Sequence, residues 1–381
     1  MTLKLPRLAA AAVALLLQVT AWAQPIKIAN IVELSGAGAT SGTNFRDGEM
    51  LAVKEINAAG GILGHRIETT TADTQSNPGV AKGLAQKAID DEVFAVFGPV
   101  FSGSIMVSMA ETRRAEIPNF TGGEAASITK QGNPYIFRTS FTQDSAMPRI
   151  ARYMAGPLKV KTLALIYVNN DYGKGGRESL MNALQPVGIK LVSDTSTEQN
   201  QVDFSAAVLK ARQSNADAIF VYLNEEESAR AVRELRKQAV AKPVVGETTL
   251  VGQKVIELAG AAANGTVAHV GLTVDAPIPA MRAFRARFDN EYHYTPDHNG
   301  IKGYTGMYVL KAAIEKVGKL DRKAVAQALH GMKISAAKYP GVIMDVAFDN
   351  NGDLDRESFL VEVRDGRQVI KEVLPALGAA K

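Results

Sequence analysis

The sequence predicts an α/β protein of two lobes, each a mostly parallel sheet flanked by helices. Three observations carry that reading. The length of 381 residues exceeds one typical core and suits two. Short apolar runs bounded by Gly, Pro and Ser alternate with longer stretches of helical spacing. The alternation breaks off and then starts again near the middle of the chain.

The amino terminus is set apart from this pattern. Lys4 and Arg7 precede an apolar run of ten residues, Leu8 to Leu17, and Ala21-Trp22-Ala23 offers small residues where a signal peptidase reads. A leader over 1–23 is expected, with cleavage before Gln24. The run is too short to span a bilayer, which takes about 20 residues. With no cysteine at the cut, no lipid anchor is expected. Losing Lys4 and Arg7 lowers the formal charge from +4 to +2. The expected product is exported, free of the membrane and held in a periplasm.

From Ile26 to Glu33 the chain reads as a buried strand, followed by a helix from about Thr43 to Ala58 that Gly60-Gly61 stops. Arg66 to Ala72 is a second strand, and Asn77-Pro78 opens a second helix. Val93 to Phe97 is a short apolar strand closed by Gly98-Pro99. Ser102 then caps a helix to about Ala115, and Ile117 to Thr121 is the fourth strand. Tyr135 to Phe141 reads as an extended crossover. The second series has strands at Thr162–Val168, Gly188–Ser193, Ala218–Leu223, Pro243–Gly246 and Thr266–Val270. Its helices are Gly173–Leu184, Phe204–Ser214 and a charged surface helix, Glu225–Gln238. Helices return at Pro279–Tyr292, Ile301–Val317 and Arg322–Leu329, and a hairpin with Asn351-Gly352 at its turn closes the chain. The expected division is 24–142 with 273–350 for the first lobe, and 143–272 with 351–381 for the second.

Composition excludes several functions. Charged residues are 22% of the chain and both signs are interspersed, so no basic stripe points to nucleic acid. The absence of cysteine excludes disulfides, thiolate metal sites and a cysteine nucleophile. Gly36-Ala37-Gly38-Ala39-Thr40-Ser41-Gly42 narrowly misses the dinucleotide fingerprint, and Asp73 stands too far on for its acid. There is no Gly-x-Ser-x-Gly elbow. His293 and His298 flank Pro296 and share no helix face. Asp349, Asn351, Asp353 and Asp355 alternate like a calcium loop, but Leu354 and Leu360 occupy its glycine and glutamate positions. The expectation is no enzyme, no cofactor and no metal.

In open parallel sheets a ligand binds beyond the carboxyl ends of the strands. That singles out loops 34–42, 98–104, 121–126, 169–173, 224–226 and 246–249, which are polar and suit a small zwitterion or polyol. Ser102 at a helix start, with free N–H groups behind it, is a ready carboxylate site; the alternative is an ordinary cap that binds nothing. Thr121-Gly122-Gly123 is a second backbone-exposed turn beside it. Glu247 ends a strand and is placed to meet a ligand ammonium across the cleft, or else is a solvated acid. Glu225, Glu226 and Glu227 begin a helix, where the dipole favours negative charge. Tyr172 either covers a ligand or packs on its own helix.

These segments together resemble a known family. Ile26-Lys27-Ile28-Ala29, Leu34-Ser35-Gly36 and Ala52 through Gly64 are similar to the opening of the Leu/Ile/Val-binding periplasmic receptors of ABC importers. Asp73 with Asn77-Pro78, Val96-Phe97-Gly98-Pro99 with Ser102, Asp171-Tyr172-Gly173, Asp203-Phe204 and Phe348-Asp349 extend the likeness along nearly the whole chain. The resemblance implies a type I periplasmic binding fold of two Rossmann-like lobes with three hinge crossovers. It also implies a monomeric receptor without nucleic-acid partners, closing on an amino acid and delivering it to permease and ATPase subunits. Carried over residue by residue, it puts the ligand carboxylate on Ser102, Gly123 and Ala125, with Thr121 as a substitute hydroxyl. Glu247 falls on the ammonium, and Tyr172 over the ligand. Ser41, Asn224 and Glu225 stand where relatives have aromatics, which implies a roomier or more polar pocket than Leu, Ile or Val requires. The same fold with an aromatic or other carboxylate, an amide, or a sensory role is the alternative.

Overall fold

Five parallel strands build the first sheet: β1 (Ala23–Val32), β2 (His65–Asp73), β3 (Ala95–Phe97), β4 (Asn119–Thr121) and β5 (Ile136–Arg138), in spatial order β2-β1-β3-β4-β5. The computed structural model describes residues 23–376, so the leader expected over 1–23 lies outside them but for Ala23, as do 377–381. The strands are joined by α1 (Ala39–Ala58), α2 (Pro78–Asp90), α3 (Ser102–Arg114) and the short α4 (Ser127–Lys130). Asn77 caps α2 through its side chain, which accepts from Gly79 and Val80, and Pro78 occupies the first turn, where no N–H is needed.

Two segments differ from the sequence reading. Tyr135–Phe141 is not simply a crossover: Ile136–Arg138 pairs with β4 as the fifth strand of the sheet. After it comes α5 (Gln143–Ala155), a helix the sequence reading does not predict. Its buried residues Ala146, Met147, Ile150, Ala151 and Met154 have clear helical spacing, but Pro148 lies inside and reads as a break.

The second sheet takes β6 (Thr162–Val168), β7 (Lys190–Thr197), β8 (Ala218–Tyr222), β9 (Val244–Glu247) and β10 (Val267–Val270), connected by α6 (Asp171–Leu184), α7 (Ser205–Gln213), α8 (Glu225–Lys237) and α9 (Gln253–Ala259). Helix α9, too short for a periodic signal, was also unread. The chain then returns to the first sheet's side through α10 (Pro279–Tyr292), α11 (His298–Val317) and α12 (Arg322–Leu329). A small antiparallel sheet follows, β11 (Lys333–Ile334), β12 (Val346–Phe348) and β13 (Leu354–Asp355). The expected boundary at 350/351 falls in the turn between β12 and β13. The final hairpin is a second one, β14 (Ser358–Arg364) and β15 (Arg367–Leu374), which joins the second sheet antiparallel to β10. Its turn is Asp365-Gly366 with both φ positive, at 48° and 75°, the hand that suits a two-residue hairpin.

The second sheet therefore runs β15-β14-β10-β9-β8-β6-β7. Between sheet and helices the strands are apolar on both faces; Leu163, Ala164, Leu165 and Ile166 of β6 are all fully buried. In the first sheet Phe97, Phe120 and Phe137 stack across β3, β4 and β5, with centroids 5.0 and 5.6 Å apart.

Helices α1 and α11 touch backbone to backbone. A Cβ on Gly48 would lie 1.8 Å from the Gly300 carbonyl oxygen, and one on Gly303 would lie 2.0 Å from that of Phe45. Only glycine allows this approach, which places the first turn of α11 at the mouth of the first sheet. Gly48→Ala is expected to destabilise the fold by about 1–3 kcal/mol through overpacking, read as a lower denaturant midpoint.

Candidate functional site

A cavity of about 200 Å³ lies between the two sheets at the carboxyl ends of their strands. It falls below the drug-sized range, so it suits one small solute. All six loops singled out from the sequence contribute to its wall, through Ser41, the 100–104 turn, Gly122 to Glu124, Asn170 to Tyr172, Asn224 with Glu225, and Thr249. Residues outside those loops complete it: Ser76 and Pro78 beyond β2, Gln199 beyond β7, and His298, Asn299 and Lys302 from the first turns of α11. Nothing in strand-end reasoning points to α11; its glycine contacts with α1 bring it there.

The first-sheet wall begins with Glu33, fully buried after β1. Its two carboxylate oxygens accept from Val100 N–H at 3.0 Å and Phe101 N–H at 3.2 Å, holding the turn that enters α3. Burial pushes its carboxyl above the ordinary range, and those hydrogen bonds oppose the push. The N-cap of α3 is Phe101, which has no side chain to cap with; Ser102 is the first helical residue. The expectation that Ser102 is the cap is thus corrected. Its Oγ instead accepts from the Ala125 N–H at 3.3 Å, tying α3 to the neighbouring loop. Among the described residues no protein acceptor takes the Ser102, Gly103 or Ser104 N–H, and all three residues line the cavity. The helix dipole adds positive potential at this end.

The loop after β4 is held from behind. Arg138, with no exposed surface, donates to the Gly123 carbonyl at 2.6 Å, the Ala125 carbonyl at 3.0 Å, Thr129 Oγ1 at 3.0 Å and Asp353 Oδ1 at 2.6 Å. Ser140 Oγ also donates to the Gly123 carbonyl, at 2.8 Å. Phe137-Arg138 belongs to the family likeness, but sequence reading gives Arg138 no role, although an Arg in an apolar strand is itself a signal, since such a charge requires partners.

Six of the nine expected residues meet at the cavity: Ser41, Ser102, Gly123, Tyr172, Asn224 and Glu225. Thr121, Ala125 and Glu247 do not line it. Thr121 Oγ1 donates to the Pro99 carbonyl at 2.7 Å and accepts from Gly123 N–H at 3.3 Å, bracing the turn. Ala125 packs its methyl among Ile105, Ile128 and Ile136; its N–H donates to Ser102 Oγ and its carbonyl accepts from Arg138. Glu247 is buried, with one oxygen on His269 Nδ1 and the other accepting from the Thr248 N–H and hydroxyl, both at 3.0 Å. Neither the ammonium-facing nor the solvated reading of Glu247 describes it.

The second-sheet wall is aromatic and acidic. Tyr172 stacks on Tyr222 with centroids 4.3 Å apart, and its hydroxyl shares a hydrogen bond of 3.1 Å with Thr249. It therefore stands as a wall braced by β8, rather than packing on its own helix. Of the 225–227 run, Glu225 lines the cavity. Glu227 is buried and completes a capping box with Asn224, while Glu225 is buried in contact with the opposite lobe. Ser41 Oγ donates to Glu225 Oε1 at 2.6 Å, and Thr40 Oγ1 donates to Glu226 Oε1 at 3.0 Å. Burial pushes the Glu225 carboxyl up to about 8, Ser41 lowers it, and Asp297 and Glu226 raise it further. Burial also raises Asp297 to about 6, against its capping bonds to the Asn299 and Gly300 N–H groups. His298 is held well below the ordinary histidine range by burial and by Lys302, so it is neutral.

The arrangement offers hydrogen-bond donors at one end, carboxyl groups around the rest and an aromatic wall. It can hold a small polar ion. Among the described residues no group of three or more His, Cys, Asp or Glu could hold a metal. No described helix is long and apolar enough to cross a membrane.

Comparison with known proteins agrees with this geometry. A Leu/Ile/Val-binding protein of Rhizobium johnstonii is 29% identical over 88% of this chain and 90% of its own length. A leucine-, isoleucine-, valine-, threonine- and alanine-binding protein of Pseudomonas aeruginosa is 26% identical over 89% of this chain and 90% of its own. The substrate-binding protein of a branched-chain amino acid transporter from Streptococcus pneumoniae, solved with isoleucine, superposes with a TM-score of 0.84 at 26% identity, covering 92% of this chain and 99% of that one. The model of the periplasmic binding protein family matches residues 25–368, so the chain belongs to the periplasmic binding proteins.

Proposed function

We propose that the chain is the extracytoplasmic solute receptor of an ABC importer, working in the periplasm after loss of its leader, and that it closes on a small amino acid. One observation carries the reading: a small cavity whose walls come from both sheets, with the free N–H groups of α3 on the first and carboxyl groups on both. Ser102 and the first-turn N–H groups of α3 receive the carboxylate, Gly123 flanks it, and Tyr172 covers the bound solute. The relatives named above bind leucine, isoleucine and valine, and one also threonine and alanine. The polar lining from Ser41, Asn224 and Glu225 favours a small or polar side chain.

The lobes, 24–142 with 273–350 and 143–272 with 351–381, are the moving bodies. A solute that touches both walls binds the closed form more tightly and shifts the population towards it. The joined outer surface is then what permease and ATPase subunits meet, and no covalent step is involved. A second reading, a carboxylate without an ammonium, is favoured by Glu247, whose oxygens are engaged with His269 and Thr248 away from the cavity.

A thermal-shift screen of amino acids and small organic acids tests the function, because a solute bound only by the folded state raises the melting point. With the best amino acid, Ser102→Ala should lose roughly tenfold in affinity by calorimetry, about 1–1.5 kcal/mol for one hydrogen bond; an unchanged value removes Ser102 from the site.

Closure itself should depend on pH. In the closed form Glu225 titrates near 8, against an ordinary value of 4.5 when the lobes part. A raised carboxyl favours closure fully below the lower value, and that contribution is lost as pH rises through the higher one. Small-angle scattering of the ligand-free protein should show a larger radius of gyration at pH 8.5 than at pH 5, and Glu225→Gln should remove the difference.

A further inference from the structure

A pair of opposite charges that sequence reading did not single out lies in the cavity wall. Lys302, buried on the second turn of α11, donates to Glu124 Oε1 at 3.0 Å, to the Gly122 carbonyl at 3.2 Å and to Asn299 Oδ1 at 3.3 Å. All three of its protons are used. Glu124 is largely buried, with 11% of its side chain exposed, and lines the same cavity; among the described residues its second oxygen has no protein partner. The carboxylate is therefore oriented by Lys302 through one oxygen, which leaves the other available to a solute in the cavity that Glu124 lines.

The position of that oxygen matters because an amino acid carries its ammonium on the carbon next to its carboxylate. Whatever accepts the ammonium must be adjacent to the carboxylate site. Glu124 lies between Gly123, in the cavity wall, and Ala125, whose N–H donates to Ser102 Oγ. The other acids are less well placed. Glu247 is committed to His269 and Thr248. Glu225 accepts from Ser41 across the cleft. Asp171 is exposed at the rim, where water screens it.

Resting on the receptor reading above, we infer that Glu124 is the specificity-determining residue of the cleft: its free carboxylate oxygen, beside the Ser102 site, accepts the ammonium of the bound amino acid. Recognition of both charged ends then belongs to the first lobe, which can hold the solute before closure. The second lobe contributes Tyr172, Asn224 and Glu225 to the remainder of the ligand.

The test is calorimetry of the mature protein and of Glu124→Gln with L-alanine, L-leucine and L-phenylalanine, each beside its 2-oxo counterpart: pyruvate, 4-methyl-2-oxopentanoate and phenylpyruvate. The members of a pair differ in little but the ammonium. The wild type should prefer the amino member of at least one pair. Glu124→Gln should weaken that amino acid by about tenfold or more, the loss expected of a charge-assisted hydrogen bond, and its 2-oxo partner by less than about twofold. If Glu124→Gln lowers the melting midpoint, Glu124→Asp, which keeps the charge, must keep the preference. Equal losses for both members, or none, overturn the assignment. A wild type that prefers the 2-oxo acids also overturns it, and would mean that the Lys302 ammonium already fills the place of the ligand's. If the wild type binds none of the six, the receptor reading for these solutes fails along with it.

Discussion

The buried guanidinium of Arg138 is the constraint on which the site depends. A charge with no exposed surface is tolerable only when every donor finds an acceptor, and here the acceptors are the Gly123 and Ala125 carbonyls, Thr129 and Asp353. Because those carbonyls turn inward to Arg138, the loop cannot turn them towards the cavity. What remains on that side is the Ala125 N–H on Ser102 and the Glu124 side chain. Asp353 comes from the turn between β12 and β13, so the last part of the chain must be in place before this loop is fully braced.

A comparable economy governs the cleft. The first lobe presents oriented donors from the start of α3, fixed by buried Glu33, and a Lys302–Glu124 pair delivered by α11. The second presents an aromatic wall and a buried glutamate that accepts from Ser41. Groups that are comfortable in water when the lobes part become desolvated when they meet, and this makes closure sensitive to what fills the space. Burying Glu225 without a cationic partner opposes closure unless the carboxyl takes up a proton.

Much of this was legible beforehand for a simple reason. Strands such as Thr162–Val168 and helices such as Pro279–Tyr292 and Arg322–Leu329 carry their period and their boundaries in adjacent residues, and their observed ranges coincide with the reading. The six loops followed from topology, since parallel strands send their carboxyl ends to one edge. Pro148 hid α5, because an interior proline outweighs a good apolar spacing in local reasoning while tertiary packing overrides it.

Local sequence by itself determined the alternation of strand and helix, hence two α/β lobes, the strand-end edge that carries the cavity, and Ser102, Gly123 and Tyr172 on its wall, while the likeness to the receptor family pointed to Ser41, Asn224 and Glu225. Tertiary structure alone decided which charges face that wall. Glu247 and Glu124 are both carboxylates after apolar strands, yet one is turned onto His269 and the other is held at the cavity by Lys302, 178 residues further along the chain. The direction of a side chain depends on the partner it finds across the fold, and no local pattern records a partner so distant in sequence.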